Sequence, residues 1–237
     1  MSLDGRAVLD LHSHTSASFD SLSDPVAHAR AAASRGVTHL AITDHDRVDG
    51  ALRARDARVP GIEIIVGSEV RTQAGDMIAL FVERPLPVGL PPEEAAAAIR
   101  EQGGLVGIPH PFDTWRGSLL VDDRYLSLLT QIDFIEGWNA RLLAPGGNQR
   151  AAELAAAHGI PSVASSDAHS IMEVGVAATV VRGDPSTPAG MRAALAAPHE
   201  LITGRGSFVA RAIMPVVKLL NAARGNRRIP PGSVFGA

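Results

Sequence analysis

Imidazole and carboxylate side chains fall in this sequence at one kind of position, just past the end of a short apolar run. His12 and His14 follow the run at 7–11, and Asp44 and His45 follow the run at 37–43. Glu69 comes three residues after the run at 62–66, and His110 two after the run at 105–108. Asn139 follows 134–138, and Asp167 and His169 follow 162–164. Side chains alternate along an extended chain, so His12 and His14 point to one side and can hold one ion between them. Asp167 and His169 share that spacing. Zinc, manganese and ferrous iron all accept imidazole and carboxylate ligands. With no cysteine, the chain has neither disulfides nor thiolate sites, so a transition-metal site must be built from these groups.

An isolated His-x-His is common by accident, and Asp44 alone could cap a turn. Five of the nine histidines lie at successive run ends, however, and accident does not space them so regularly. The other four read differently. His28, His158 and His199 sit on or beside helical stretches, where surface or capping roles are expected. His39 is mid-strand and is expected to be a hydrogen-bonded core histidine.

The positioning elements follow from the same runs. Strands are expected at 7–11, 37–43, 62–66, 77–82, 105–108, 134–138 and 162–164, alternating with Ala-rich helical stretches. Asp24 caps a helix that has Pro25 at its first position and ends near Gly36. A second helix at 92–102 is closed by Gly103 and Gly104, and a third covers 149–158. Uninterrupted apolar strands joined by helices indicate a parallel sheet buried on both faces, and seven of them fit a closed α/β barrel. In such a barrel the C-terminal strand ends converge on one rim, which gathers the ligand-type residues there.

Residues 1–210 are expected to form this barrel domain with its C-terminal elements, and 211–237 a short extension. Pro215 opens an amphipathic helix presenting Val216, Leu219, Leu220 and Ala223 on one side, followed by a loose Arg-, Gly- and Pro-rich tail. The net charge of −3 gives no general attraction to polyanions, so no stable nucleic-acid partner is expected. No apolar run approaches the ~20 residues of a membrane span, and the opening residues lack a signal-peptide core, which makes a cytoplasmic protein the expectation.

Taken together, DLHSHT at 10–15, ITDHD at 42–46, GSE at 67–69, PHP at 109–111, IEGWNAR at 135–141 and SSDAH at 165–169 resemble the PHP (polymerase and histidinol phosphatase) family, in its order. The resemblance implies a distorted seven-stranded (β/α)7 TIM-like barrel with two to three divalent metal ions (Zn, Mn or Fe). His12, His14 and Asp167 would hold the first ion, and Glu69 would bridge the first and second. His110 and Asn139 would complete the second, and Asp20, His45 and His169 would hold the third. Several family members have His or Cys at the position of Asn139, and some have His at the position of Asp20. An amide oxygen is the weaker ligand, so the second ion would be looser.

The implied activity is metal-dependent phosphoester hydrolysis, with a metal-bridging hydroxide attacking phosphorus. The substrate would be a small phosphorylated metabolite or nucleotide. Asp20 or Asp44 would relay the leaving-group proton. Arg141 and Arg116 are the expected substrate cations, with Arg71 a third, and Trp115 or Trp138 could stack on a ring. A nuclease or phosphodiesterase acting on nucleotide ends uses the same chemistry and stays open, as does a non-catalytic metal-binding domain. An amidohydrolase with a bridging lysine is disfavoured, because the single lysine, Lys218, lies in the C-terminal segment and Glu69 fills the bridging position.

Overall fold

The computed structural model describes residues 5–113, 116–119, 123–144 and 146–236. Trp115 lies outside the described residues. The chain runs β1 (Arg6–Asp10), α1 (Pro25–Ser34), β2 (His39–Ile42), α2 (Asp49–Asp56), β3 (Glu63–Arg71), β4 (Asp76–Leu80), α3 (Pro92–Glu101) and β5 (Leu105–Ile108). A 3-10 segment (Asp123–Gln131), β6 (Phe134–Asn139), α4 (Gly147–Ala157), β7 (Ser162–Ser165), β8 (Ala178–Arg182), α5 (Pro188–Ala196), β9 (Glu200–Ile202), α6 (Phe208–Ala212) and α7 (Met214–Ala223) follow. The helix starts obey local chemistry. Asp24 accepts hydrogen bonds from the backbone N–H groups of Val26 and Ala27, with Pro25 opening α1.

All seven expected strands are present, but the sheet among the described residues has nine, in the order β7-β6-β5-β4-β3-β2-β1-β8-β9. Nor is it wholly parallel. β4 runs antiparallel to β3 and β5, β8 to β1, and β9 to β8. Connection length explains β4. Only residues 72–75 join β3 to β4, far short of the dozen or so a parallel crossover needs. The Thr72 hydroxyl donates to Gly75 O at 2.5 Å to close that turn, and Gly75 has φ 150°. Apolar content alone does not distinguish the two strand directions.

The sheet curls until its ends nearly meet. Past β7, the Asp167 N–H donates to His12 O (2.8 Å), and past β1 the His14 N–H donates to Ala168 O (2.7 Å). The segments after β1 and β7 are thereby zipped together at the rim. Inside the curl, Leu9, Ile65, Ile78, Leu105 and Phe134 pack with Met191 and Leu195 of α5. Outside it, Leu40, Ile42, Val66, Val106 and Ile108 pack with residues of α1, α2 and α3. Gly107 is required by this interior, since a Cβ there would lie 2.2 Å from the Phe134 ring.

The C-terminal segment departs from expectation. In α7 the buried residues are Val217 and Asn221, while Val216, Leu219, Leu220 and Ala223 are exposed. A polar anchor, not an apolar stripe, sets the helix face. Asn221 Nδ2 donates toward the carbonyls of Ser18 (3.4 Å), Phe19 (3.0 Å) and Ser21 (2.9 Å). Nor is the tail beyond Arg224 loose. Asn226 Nδ2 donates to the carbonyls of Ser16, Ala17 and Ser18 at 3.0–3.2 Å. Further on, Val88 N–H donates to Ser233 O (3.0 Å) and Gly232 N–H to Val88 O (2.8 Å). Residues 214–236 therefore form a strap pinned along the barrel mouth.

Candidate metal centre

Four strand ends deliver the central cluster. His12 and His14 come from the segment after β1, Glu69 from β3, His110 from the end of β5, and Asp167 and His169 from beyond β7. All but His169 are at most 2% exposed. His12 Nε2 and His14 Nε2 lie 3.0 Å apart, and Glu69 Oε2 is 3.3 Å from each. The other Glu69 oxygen, Oε1, is 3.0 Å from His110 Nε2, and Oε2 also lies 3.2 Å from His45 Nδ1. Asp167 Oδ1 is 3.5–3.6 Å from the His12 and His14 nitrogens. Asp20 Oδ2 sits between His45 Nε2 (3.3 Å) and His169 Nε2 (3.4 Å).

Three overlapping groups emerge in which the donor atoms all lie within 4.8 Å of one another: His12–His14–Asp167, His12–Glu69–His110, and His14–Asp20–His45–His169. A metal ion fits this donor set. Among the described residues, the buried carboxylate oxygens Asp20 Oδ1 and Asp167 Oδ1 have no hydrogen-bond partner, and such orphans are costly unless a cation or proton satisfies them. The backbone contributes strain as well. His110 (φ 28°) and Asp167 (φ 50°) both adopt left-handed conformations, which cost a non-glycine residue on the order of 1 kcal/mol.

The electrostatics follow from packing acids against imidazoles. Burial would pull the His45 ring down, but Asp20 and Glu69 outweigh it and raise it to about 10. Burial also opposes protonation of His12, yet Asp167, Glu69 and Glu136 hold it well above the usual range. Burial raises Asp20, and the neighbouring His45 and His169 overcome this and hold it well below the usual carboxylate range. His169 goes the other way, down to about 4, because burial and the Arg141 charge exceed the pull of Asp20.

Asn139 is adjacent to the cluster with its amide nitrogen foremost. Nδ2 donates to Glu136 Oε2 (2.8 Å) and Asp167 Oδ2 (3.0 Å), while its oxygen accepts the Arg141 backbone N–H (2.8 Å). It thus sits beside Asp167 and Glu136, next to the groups His12–His14–Asp167 and His12–Glu69–His110. Asp44 is fully buried behind the site and does not line the cavity. Both its oxygens accept from Thr15, from N–H at 2.6 Å and the hydroxyl at 2.7 Å. Trp138 is turned outward, its indole donating to Gly204 O at 2.8 Å. Arg71 does not line the cavity and donates to Ile229 O of the strap.

A cavity of about 250 Å³ opens over the cluster, and Arg116 and Arg141 do line it. Both are already engaged. Arg116 donates to Asp113 (2.6 Å) and to Asp167, and Arg141 NH1 pairs with Glu173 Oε2 at 3.1 Å. Asp76, Lys218 and Arg228 also line it, none of them singled out by the strand-end pattern. Glu173 was missed too. Fully buried, it accepts from the backbone N–H groups of His169 (3.3 Å) and Ser207 (3.1 Å). Its signal was an acid four residues past a ligand-type histidine. His28 is not at the surface. It is fully buried in α1 with neither ring nitrogen hydrogen-bonded among the described residues, and burial lowers it to about 3.

Comparison with known proteins accords with this geometry. Sequence models of the PHP domain and of a PHP-associated region match residues 10–132 and 145–197. The uncharacterized protein MJ1587 of Methanocaldococcus jannaschii is 35% identical over 142 residues, covering 55% of this chain and 81% of its own. Among solved structures, a two-domain protein from Bacteroides vulgatus containing a predicted PHP-like metal-dependent phosphoesterase superposes with a TM-score of 0.70 at 21% identity, over 86% of this chain and 67% of that one. The lesion-specific endonuclease PfuEndoQ from Pyrococcus furiosus superposes with a TM-score of 0.63 at 19% identity, over 83% of this chain and 57% of that one. With the PHP-domain match spanning more than half its length, this chain belongs to the PHP family.

Proposed function

We propose that this chain is a metal-dependent phosphoesterase that hydrolyses a phosphomonoester of a small metabolite or nucleotide. The supporting observation is the set of three ligand groups linked through His12 and His14, with Glu69 in contact with histidines of all three, beneath a cation-lined cavity. His12, His14 and Asp167 would hold one divalent ion, Glu69 and His110 with His12 a second, and Asp20, His45 and His169 a third. Bound there, the ions supply charge neutralisation at the phosphoryl oxygens and activation of water.

The chain's own residues do the rest. Glu69 faces all three groups and fixes their spacing. Asp20 lines the cavity between His45 and His169, which hold it ionised, so its part there is that of an ion ligand facing the substrate. Arg116, which reaches both Asp167 and Asn139, orients the non-bridging oxygens of the ester.

A second reading, cleavage of nucleic acid, is favoured by the fold likeness to an endonuclease. The 250 Å³ cavity and the net charge of −3 weigh toward a small substrate. Phosphate release by Mn- or Zn-loaded protein is measured across sugar phosphates, nucleotides and short oligonucleotides, with His14→Ala as control. Release from small esters that is lost in the control supports the proposal. Cleavage confined to oligonucleotides replaces it with the nuclease reading, and no turnover by metal-replete protein refutes both.

A further inference from the structure

Among the described residues four cations line the cavity over the ligand groups, and they differ in how they are held. Arg116 and Arg141 are tied to buried acids, Asp167 and Glu173. Lys218 and Arg228 are not. Among the described residues neither forms an ion pair, and both are exposed at the mouth. They converge on one ring. Lys218 Nζ is 5.4 Å and Arg228 Cζ 4.8 Å from the centroid of Phe19, the residue next to Asp20. Arg228 also exerts its charge on Asp76 in the cavity wall.

Two like charges brought to one aromatic ring repel each other, and a cation–π contact is worth only ~1 kcal/mol at an exposed site. Holding them there requires the strap. Asn221 lies three residues past Lys218 and Asn226 two before Arg228, each bonded to carbonyls of the loop at 16–21. The pair is thus presented by a scaffold that does not depend on the cations themselves. Both line one cavity, so an anion held in it is attracted by both charges.

We propose that Lys218 and Arg228 bind a second anionic group on the substrate, set apart by a short spacer from the phosphate that sits over the ligand groups. The substrate class is a small, doubly anionic phosphate ester. This rests on the phosphoesterase reading. The strap is then the specificity element, and the cavity of about 250 Å³ limits the spacer to a small one.

Calorimetry on the Mn-loaded full chain tests this with three non-hydrolysable probes: propylphosphonate, 3-phosphonopropionate and propane-1,3-bisphosphonate. The expected result is binding of one or both doubly anionic probes about tenfold tighter than propylphosphonate, since each such step reflects one added charged contact. Which of them gains distinguishes a second carboxylate from a second phosphate. The double variant Lys218→Ala, Arg228→Ala is expected to lose the advantage. Equal affinity for all three probes overturns the proposal. An advantage that survives in the double variant also overturns it, and would trace to chelation of the metal. Equal loss of propylphosphonate binding in the variant overturns it as well. Failure of the phosphoesterase reading shows separately, as absence of phosphate release from every ester in the panel.

Discussion

The Glu136 carboxylate holds the His12 ring by its Nδ1–H at 3.1 Å, which leaves Nε2 directed at His14 and Glu69. Its second oxygen accepts the His110 backbone N–H at 2.7 Å, bracing a residue in a left-handed conformation. One acid therefore orients donors in two ligand groups without belonging to either. An acid on the far nitrogen of a ligating histidine fixes its tautomer and raises its basicity. Glu136→Gln is expected to weaken metal binding about 10- to 100-fold, measured by competition with a chromogenic chelator. Unchanged affinity would remove this role from Glu136.

Glu69 carries a larger share. Its two oxygens contact histidines of all three groups, so Glu69→Gln should lower the number of bound ions and not only their affinity. Elemental analysis of the metal-loaded variant would show a stoichiometry below wild type, and phosphate release should fall at least about 100-fold. Wild-type metal content would contradict the bridging position.

His28 predicts a pH dependence of stability in the metal-free protein. Burial lowers its folded value to about 3 from an ordinary 6.5. Below pH 6.5 the unfolded chain binds a proton that the folded chain does not, so stability is full above that pH and is lost as pH falls toward 3. The upper bound on the loss is about 5 kcal/mol. Urea unfolding at a series of pH values should show a shallower acid decline for His28→Leu than for wild type. Parallel curves would mean His28 takes up its proton in the folded state.

Asn221→Leu keeps the side-chain bulk but deletes the amide that gathers the carbonyls of Ser18, Phe19 and Ser21. Leaving these without a donor should cost about 1–3 kcal/mol in unfolding free energy. Because Asp20 lies in the same loop, weaker binding of one ion should accompany the loss. Destabilisation with all ions bound as tightly as in wild type would separate the loop from the site.

The sequence exposed the ligands because strand-end placement is a local property. His12 and His14, or Asp167 and His169, are readable from spacing two alone. Glu136 was not readable in that way, because its partnership with Asn139 spans three residues, which ordinary alternation puts on opposite faces. A register shift between Glu136 and Trp138 brings the two side chains together. The direction of β4 was set by a four-residue turn, and the course of the strap by single asparagines reaching distant carbonyls. Such long-range hydrogen bonds leave no periodic trace. Hence spacing alone gives the wrong face of α7 and does not bring Lys218 and Arg228 to the cavity.

The strap also imposes an order on biosynthesis. Asn221 secures Ser18 and Ser21 across 203 and 200 residues of chain, so a ribosome produces the Asp20 loop long before its clamp. The seven strands β1–β7 and the histidines at their ends are complete by residue 169, yet the cavity acquires its last wall only when residue 228 has emerged. A nascent or C-terminally clipped chain would thus carry the histidine cluster without the wall that selects what reaches it.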